Sequence, residues 1–154
     1  MVTTIEPLTD SEAEQLAAWR YRPPYDFYDG DADPADLAEL LDPDRRSDGY
    51  WAARDEAGTL VGFYYFVARG NAVEIGLGLR PDLVGQGCGR DFFLDGVAFA
   101  RERFGEPGLV LNVAAFNARA IKVYERAGFR ESGRHVRTFD RFGDVEFVEM
   151  TGQA

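Results

Sequence analysis

The sequence is short of several residue types, and each shortage removes a class of explanation. Its single cysteine, Cys88, excludes an intramolecular disulfide, and one cysteine with one histidine, His135, cannot make a structural zinc cluster. No metal is therefore implied. No apolar run approaches the ~18 residues of a membrane-spanning helix. Met1 to Glu6 carry neither the basic segment nor the apolar core of a secretory leader, so a cytoplasmic location is the expectation. Positive charge is scarce too, with 17 basic against 27 acidic residues and a formal charge of −10. Nucleic acids and anionic membranes need a positive footprint and are excluded as general partners. The acidity is compatible with a cationic substrate, and equally with solubility alone.

What is present suits an ordinary globular chain: 154 residues, 45% hydrophobic and 29% charged, enough for one domain over 1–154 with its own core. Val2 to Pro7 reads as a first strand. Thr9-Asp10-Ser11-Glu12 is a capping box opening a helix through Leu16, Ala17 and Trp19 that stops near Arg20. Tyr21 to Gly30 holds two prolines and four aromatics without helical or strand period, and is predicted as a loop. Asp33 as N-cap, Pro34 at the first helical position and a stripe of Leu37, Leu40 and Leu41 predict a second helix.

Gly49 to Arg54 and Thr59 to Ala68 form a hairpin across Asp55 to Gly58, and the run Phe63-Tyr64-Tyr65-Phe66 implies a strand covered on both faces. Ala72 to Leu79 is the third strand of this meander. Phe93, Val97, Ala100 and Phe104 give a helical face over Arg90 to Phe104, ended by Gly105 and Pro107. Leu109 to Val113 is a short strand, Asn117 to Ala127 a helix with Asn117 as N-cap and Gly128 behind it, and residues 72 to 113 a β-α-β unit with parallel strands. Phe129 to Asp140 and Val145 to Met150 close the chain as a hairpin, with Thr151 to Ala154 as a tail. The fold class is α/β with a mixed, mostly antiparallel sheet flanked by helices.

The chemistry points to Leu83-Val84-Gly85-Gln86-Gly87-Cys88-Gly89-Arg90, where alternate glycines precede a helix. Bare backbone at a helix N-terminus offers unpaired N–H groups and the positive end of the dipole, a combination suited to a pyrophosphate. The dinucleotide pattern fails because Arg90 stands where a third glycine is needed, and the Walker pattern fails for want of a following lysine.

Val84-Gly85-Gln86-Gly87-Cys88-Gly89, preceded by Leu77-Gly78-Leu79-Arg80-Pro81 and followed by Asn117 to Phe129 with Tyr124 and Gly128-Phe129, resembles the acetyl-CoA motifs of the GCN5-related N-acetyltransferase (GNAT) superfamily. The resemblance covers about residues 72 to 130 in motif and the remainder in element order. It implies acetyl transfer from acetyl-CoA to a primary amine by direct attack, with no acyl-enzyme. Val84 departs from the usual Arg or Gln and cannot donate a side-chain hydrogen bond to phosphate, so the prediction is that the amides from Val84 through Arg90 hold the pyrophosphate, with Gln86 and Arg90 in support. Leu77, Gly78 and Leu79 present backbone groups to the acetyl and pantetheine portions. Asn117 caps its helix and, by resemblance, also meets the pantetheine arm.

A lysine-like amine, with a pKa of about 10.4, must lose a proton before it attacks, and the departing thiolate must gain one. Tyr124 matches the family's general-acid position, two turns after Asn117; residue pattern alone favours a packed aromatic, and the resemblance reverses that reading. Glu74 is a candidate base acting through water, or a strand-edge partner in an ion pair. Ribosomal-protein alanine acetyltransferases, which the chain partly resembles, carry a glutamate where this chain has Asn112, and an amide cannot accept the proton. Cys88 reads as a small filler and His135 as structural or exposed. The loop Tyr21 to Tyr28, with Asp26 and Asp29, is either a lid over the amine or a cover for the core. Small cationic amines suit the charge better than peptides, although a peptide or protein acceptor stays open, as do a homodimer and a non-catalytic acyl-CoA-binding module. A nucleotide-binding regulator would need a base-recognition element that the sequence lacks.

Overall fold

The computed structural model describes residues 2–46, 49–105 and 108–152, and local signals in the sequence explain most of its elements. They run β1 Thr4–Pro7, α1 Asp10–Ala17, a 3-10 turn Tyr25–Tyr28, α2 Pro34–Leu41, α3 Pro43–Arg46, β2 Tyr50–Arg54, β3 Leu60–Arg69 and β4 Ala72–Leu79. A second 3-10 turn Pro81–Leu83 leads to α4 Gly89–Phe104, β5 Gly108–Ala114, α5 Ala118–Arg126, β6 Arg130–Phe139 and β7 Gly143–Gly152.

The strands make one sheet in the order β1-β2-β3-β4-β5-β7-β6. Every neighbour is antiparallel except β4 and β5, which pair in parallel as Ala72↔Gly108, Val73↔Leu109 and Glu74↔Val110. That pairing stops at Glu74, although β4 continues to Leu79 and β5 to Ala114. The sheet is therefore split along Ile75–Leu79, and this split positions everything described below.

Strand alternation sorts the side chains into two layers. Tyr64, Phe66, Val73, Ile75, Leu109 and Leu111 face α4, where Phe92, Phe93, Val97 and Ala100 complete the main core. A Cβ at Gly96 would come within 2.5 Å of the Tyr64 ring, so glycine there lets α4 lie close on β3. On the opposite face Leu8, Ala13, Leu16, Leu40, Ala52 and Leu60 form a second cluster with Trp19, Tyr50 and Phe63 under α1 and α2. The aromatic run of β3 is thus covered on both sides, as its composition implied.

The capping box of α1 forms in full: Thr9 Oγ1 accepts from the Glu12 amide at 3.1 Å and the Glu12 carboxylate accepts from the Thr9 amide at 3.1 Å. Glu12 also accepts two bonds from Arg54 at 2.7 and 2.8 Å, which fixes α1 to β2. Several boundaries differ from the sequence reading. α1 ends at Ala17, because Ala18 and Trp19 already turn back onto Gln15 and Leu16. Asp33 stands at the N-cap of α2 without capping it through its side chain, and Leu41 of the predicted stripe is exposed.

The four-residue α3 was not predicted, being too short to carry a period; its Arg46 is buried, donating to the Leu40 carbonyl at 2.8 Å and pairing with Asp10. At the chain's end β7 runs through Thr151 and Gly152 instead of stopping at Met150, and glycine is needed at Gly152 because a Cβ would meet the Phe129 ring at 2.4 Å. The ending of α4 at Gly105 is seen in its left-handed C-cap, φ +78°, while Pro107, Gln153 and Ala154 lie outside the described residues.

Candidate active site

Chain leaving β4 passes through the turn Pro81–Leu83 into the glycine stretch. Gly85 and Gly87 have φ of +79° and +84°, conformations that place successive amides on one side and that side chains resist. A Cβ added at Gly85, Gly87 or Gly89 meets nothing within 4 Å, so the space in front of this backbone is open. Of the amides predicted to hold pyrophosphate, Val84 already donates to the Pro81 carbonyl at 3.3 Å and Gln86 to the Leu83 carbonyl at 3.4 Å. Those of Gly85, Gly87, Cys88, Gly89 and Arg90 have no backbone acceptor among the described residues. No side chain caps α4: Cys88, at its N-cap, donates its thiol to the Leu83 carbonyl at 3.5 Å. Among the described residues, five amides without a backbone acceptor at the positive end of a 16-residue helix form an arrangement that could hold an anion.

Leu77, Gly78 and Leu79 pair with Tyr64, Phe63 and Gly62 on the β3 side, and past Glu74 the other edge of β4 is unpaired with β5. The Leu79 carbonyl is taken by the Tyr21 hydroxyl at 2.6 Å. Across the split, Asn117 caps α5, its Oδ1 accepting from the Ala120 amide at 3.2 Å. Its Nδ2 donates to the Tyr28 hydroxyl at 3.2 Å. Tyr124 packs on Phe93 with ring centroids 4.7 Å apart. Burial pushes the Tyr124 hydroxyl well above the ordinary tyrosine value, with Tyr28 adding to the effect. Tyr28 is raised too, first by burial, against the pull of Asn117 and the Ala114 backbone. Tyr124, Tyr28 and Asn117 are therefore one group.

Glu74 does not join that group. Alternating with Val73 and Ile75, it points to the sheet face away from α4, where it pairs with Arg69 at 2.9 Å and accepts from Asn112 Nδ2 at 3.3 Å. The ion-pair reading of Glu74 is thus realised in the geometry. Among the described residues, Asn112 Oδ1 is buried without a hydrogen-bond partner.

The aromatic loop is anchored. Phe27 packs edge-on against Phe139 at 4.9 Å, Phe142 at 5.3 Å and Phe116 at 5.7 Å, and Arg141 pairs with Asp26 at 3.3 Å. Arg119 sits 4.4 Å from the Tyr25 ring. His135 is exposed and stacks on Phe147. Sequence reasoning singled out the glycine stretch and Tyr124 but not the hydroxyls of Tyr21 and Tyr28, whose partners lie 58 and 89 residues away. A run of aromatics too polar for a core segment was the only available signal.

The model of the acetyltransferase (GNAT) domain matches residues 3–130 of this chain. The chain belongs to the GNAT family. It is 43% identical over 86 residues to a mycothiol acetyltransferase of Propionibacterium freudenreichii subsp. shermanii, covering 53% of this chain and 27% of that protein. To the mycothiol acetyltransferase of Salinispora tropica it is 34% identical over 94 residues, covering 57% and 31%. The match therefore spans less than a third of each relative.

Two spermidine N-acetyltransferase SpeG chimeras from Vibrio cholerae and hSSAT share the GNAT fold over nearly the whole chain. One has a TM-score of 0.75 at 16% identity, covering 97% of this chain and 95% of that one. The other has 0.73 at 20%, covering 97% and 94%. As in the sequence reading, the GNAT sheet is mixed and mostly antiparallel. Among the described residues no helix is long and apolar enough to cross a membrane.

Proposed function

We propose that the chain, as one domain over 1–154, transfers an acetyl group from acetyl-CoA to a primary amine. The observation that carries this reading is the end of β4–β5 pairing at Glu74↔Val110, beside a helix start whose amides are free. The open space at Gly85, Gly87 and Gly89 suits a pyrophosphate, and the loss of a donor at Val84 is offset by amides that need no side chain. Bound there, acetyl-CoA supplies the activated thioester.

The chain's own groups do the rest. The edge of β4 past Glu74, unpaired with β5 and with its Leu79 carbonyl held by Tyr21, orients the thioester in the split. As the amine nitrogen bonds to the acetyl carbon and the carbon–sulfur bond breaks, Tyr124 gives its proton to the departing sulfur; its raised pKa keeps that proton in place beforehand. The amine's own proton leaves to solvent water at the split, because Glu74 is tied to Arg69 and Asn112 on the sheet face away from α4.

Calorimetric titration with acetyl-CoA, followed by thiol release over a panel of amines, tests the reading. Binding with turnover on at least one amine is the expected result. Binding without turnover on any amine would favour a non-catalytic acyl-CoA module, and absence of binding would remove both readings.

A further inference from the structure

Between α1, α2 and the aromatic loop lies a cavity of about 120 Å³. That volume leaves room for a short alkyl chain. Two of its walls reach the transfer site: Tyr21 through its bond to the Leu79 carbonyl, and Tyr28 through Asn117 and its proximity to Tyr124. Trp19, Tyr50 and Phe63 present aromatic surface, over a floor that includes Leu16 and Leu40. The charged side chains lining it are two carboxylates, Asp29 and Asp36.

Neither carboxylate is fully neutralised. Asp29 is 6% exposed; its Oδ1 accepts from the Tyr21 amide at 2.8 Å, while its Oδ2 is 4.0 Å from Arg141, beyond hydrogen-bond reach. Asp36, exposed at the rim of the cavity, is held above the ordinary carboxylate range by partial desolvation and then by the charge of Asp33 and a hydrogen bond with it, with Arg137 opposing and Glu39 adding to the effect. Tyr50 is raised by burial and by the same Glu39 and Asp36. A cation entering this space would relieve the repulsion and meet aromatic faces.

The attacking nitrogen cannot be that cation, because it must be neutral to react. The charge that the carboxylates hold must then sit elsewhere on the acceptor. We infer that this cavity is the acceptor site and that it selects short alkyl amines carrying a second positive charge, held by Asp36 with Asp29. The inference rests on the acetyl transfer proposed above.

The test compares 1,5-diaminopentane with n-hexylamine, which replaces the second ammonium by a methyl group. A charge-assisted contact predicts that kcat/KM favours the diamine by about tenfold or more. Asp36→Asn should bring that ratio close to one, with acetyl-CoA affinity and melting temperature as controls for folding. Binding of 1,5-diaminopentane should also perturb Trp19 fluorescence in the unsubstituted protein, and less in Asp36→Asn. Equal kcat/KM for the two amines, or a preference that survives Asp36→Asn, would overturn the inference while leaving acetyl transfer intact. Failure to bind acetyl-CoA would instead overturn the underlying reading.

Discussion

The Nδ2 of Asn117 donates to the hydroxyl of Tyr28 at 3.2 Å while the Oδ1 of the same side chain caps α5. One amide thus ties the aromatic loop to the helix that carries Tyr124. Removing the phenol oxygen in Tyr28→Phe deletes this tie and costs about 1 kcal/mol. The ring contacts of the loop remain, so folding should persist. Steady-state kinetics should show a higher KM for the acceptor, and calorimetry an unchanged affinity for acetyl-CoA. An unchanged acceptor KM would mean that the loop's other contacts, from Tyr21, Asp26 and Phe27, hold it without this bond.

Tyr124→Phe addresses the proton given to sulfur. Loss of a general acid lowers turnover by about a hundredfold or more, and the ring's packing on Phe93 survives the substitution. Acetyl-CoA affinity should stay within about threefold, since the phenylalanine fills the same space. Because burial raises the Tyr124 pKa, the acid stays loaded beyond about pH 10, the ordinary tyrosine value. The kcat–pH profile of the unsubstituted protein should therefore show no falling limb below that pH. A variant with full turnover would remove Tyr124 as the acid.

The phosphate cradle separates backbone from side chain. Gly87 has φ +84°, and an alanine there carries a backbone penalty of about 1–2 kcal/mol even though its Cβ would meet no atom within 4 Å. Gly87→Ala should weaken acetyl-CoA binding by about tenfold. Val84→Ala should leave it within about twofold, because the Val84 amide is already bonded to Pro81 and its side chain has nothing to donate. Calorimetry on the two variants distinguishes them, and a large loss in Val84→Ala would mean that its side chain shapes the cradle.

The parts of this molecule that the sequence made readable are those settled within a few residues. The Thr9–Glu12 box, the Asn117 cap and the left-handed glycines depend on local backbone demands, and they appear where the sequence places them. The β4–β5 split has no local signature, since it depends on where β5 stops following β4 while β7 takes up its other edge. Glu74 could be named as a candidate but not placed on its face relative to Tyr124. Asp36, on a helix read only for its leucine stripe, acquired significance from the loop folded over it.

Glu12 joins local and long-range structure, and its protonation should govern the acid side of stability. Its pKa lies below the ordinary glutamate value, chiefly through the side-chain bond to Arg54, with burial opposing. A carboxylate whose folded pKa is depressed contributes stability that is complete above its unfolded value of about 4.3, and that is lost as pH falls through the lower folded value. Glu12→Gln keeps a capping side chain but breaks a pair whose partners are 11% and 16% exposed. Urea unfolding should find the variant less stable by about 2 kcal/mol at pH 7, a value reduced from that of a fully buried pair because Arg54 retains Glu6. As pH falls below about 4 the unsubstituted protein loses the same contribution and the difference should narrow. A deficit that stays constant through the acid range would assign it to packing instead of charge.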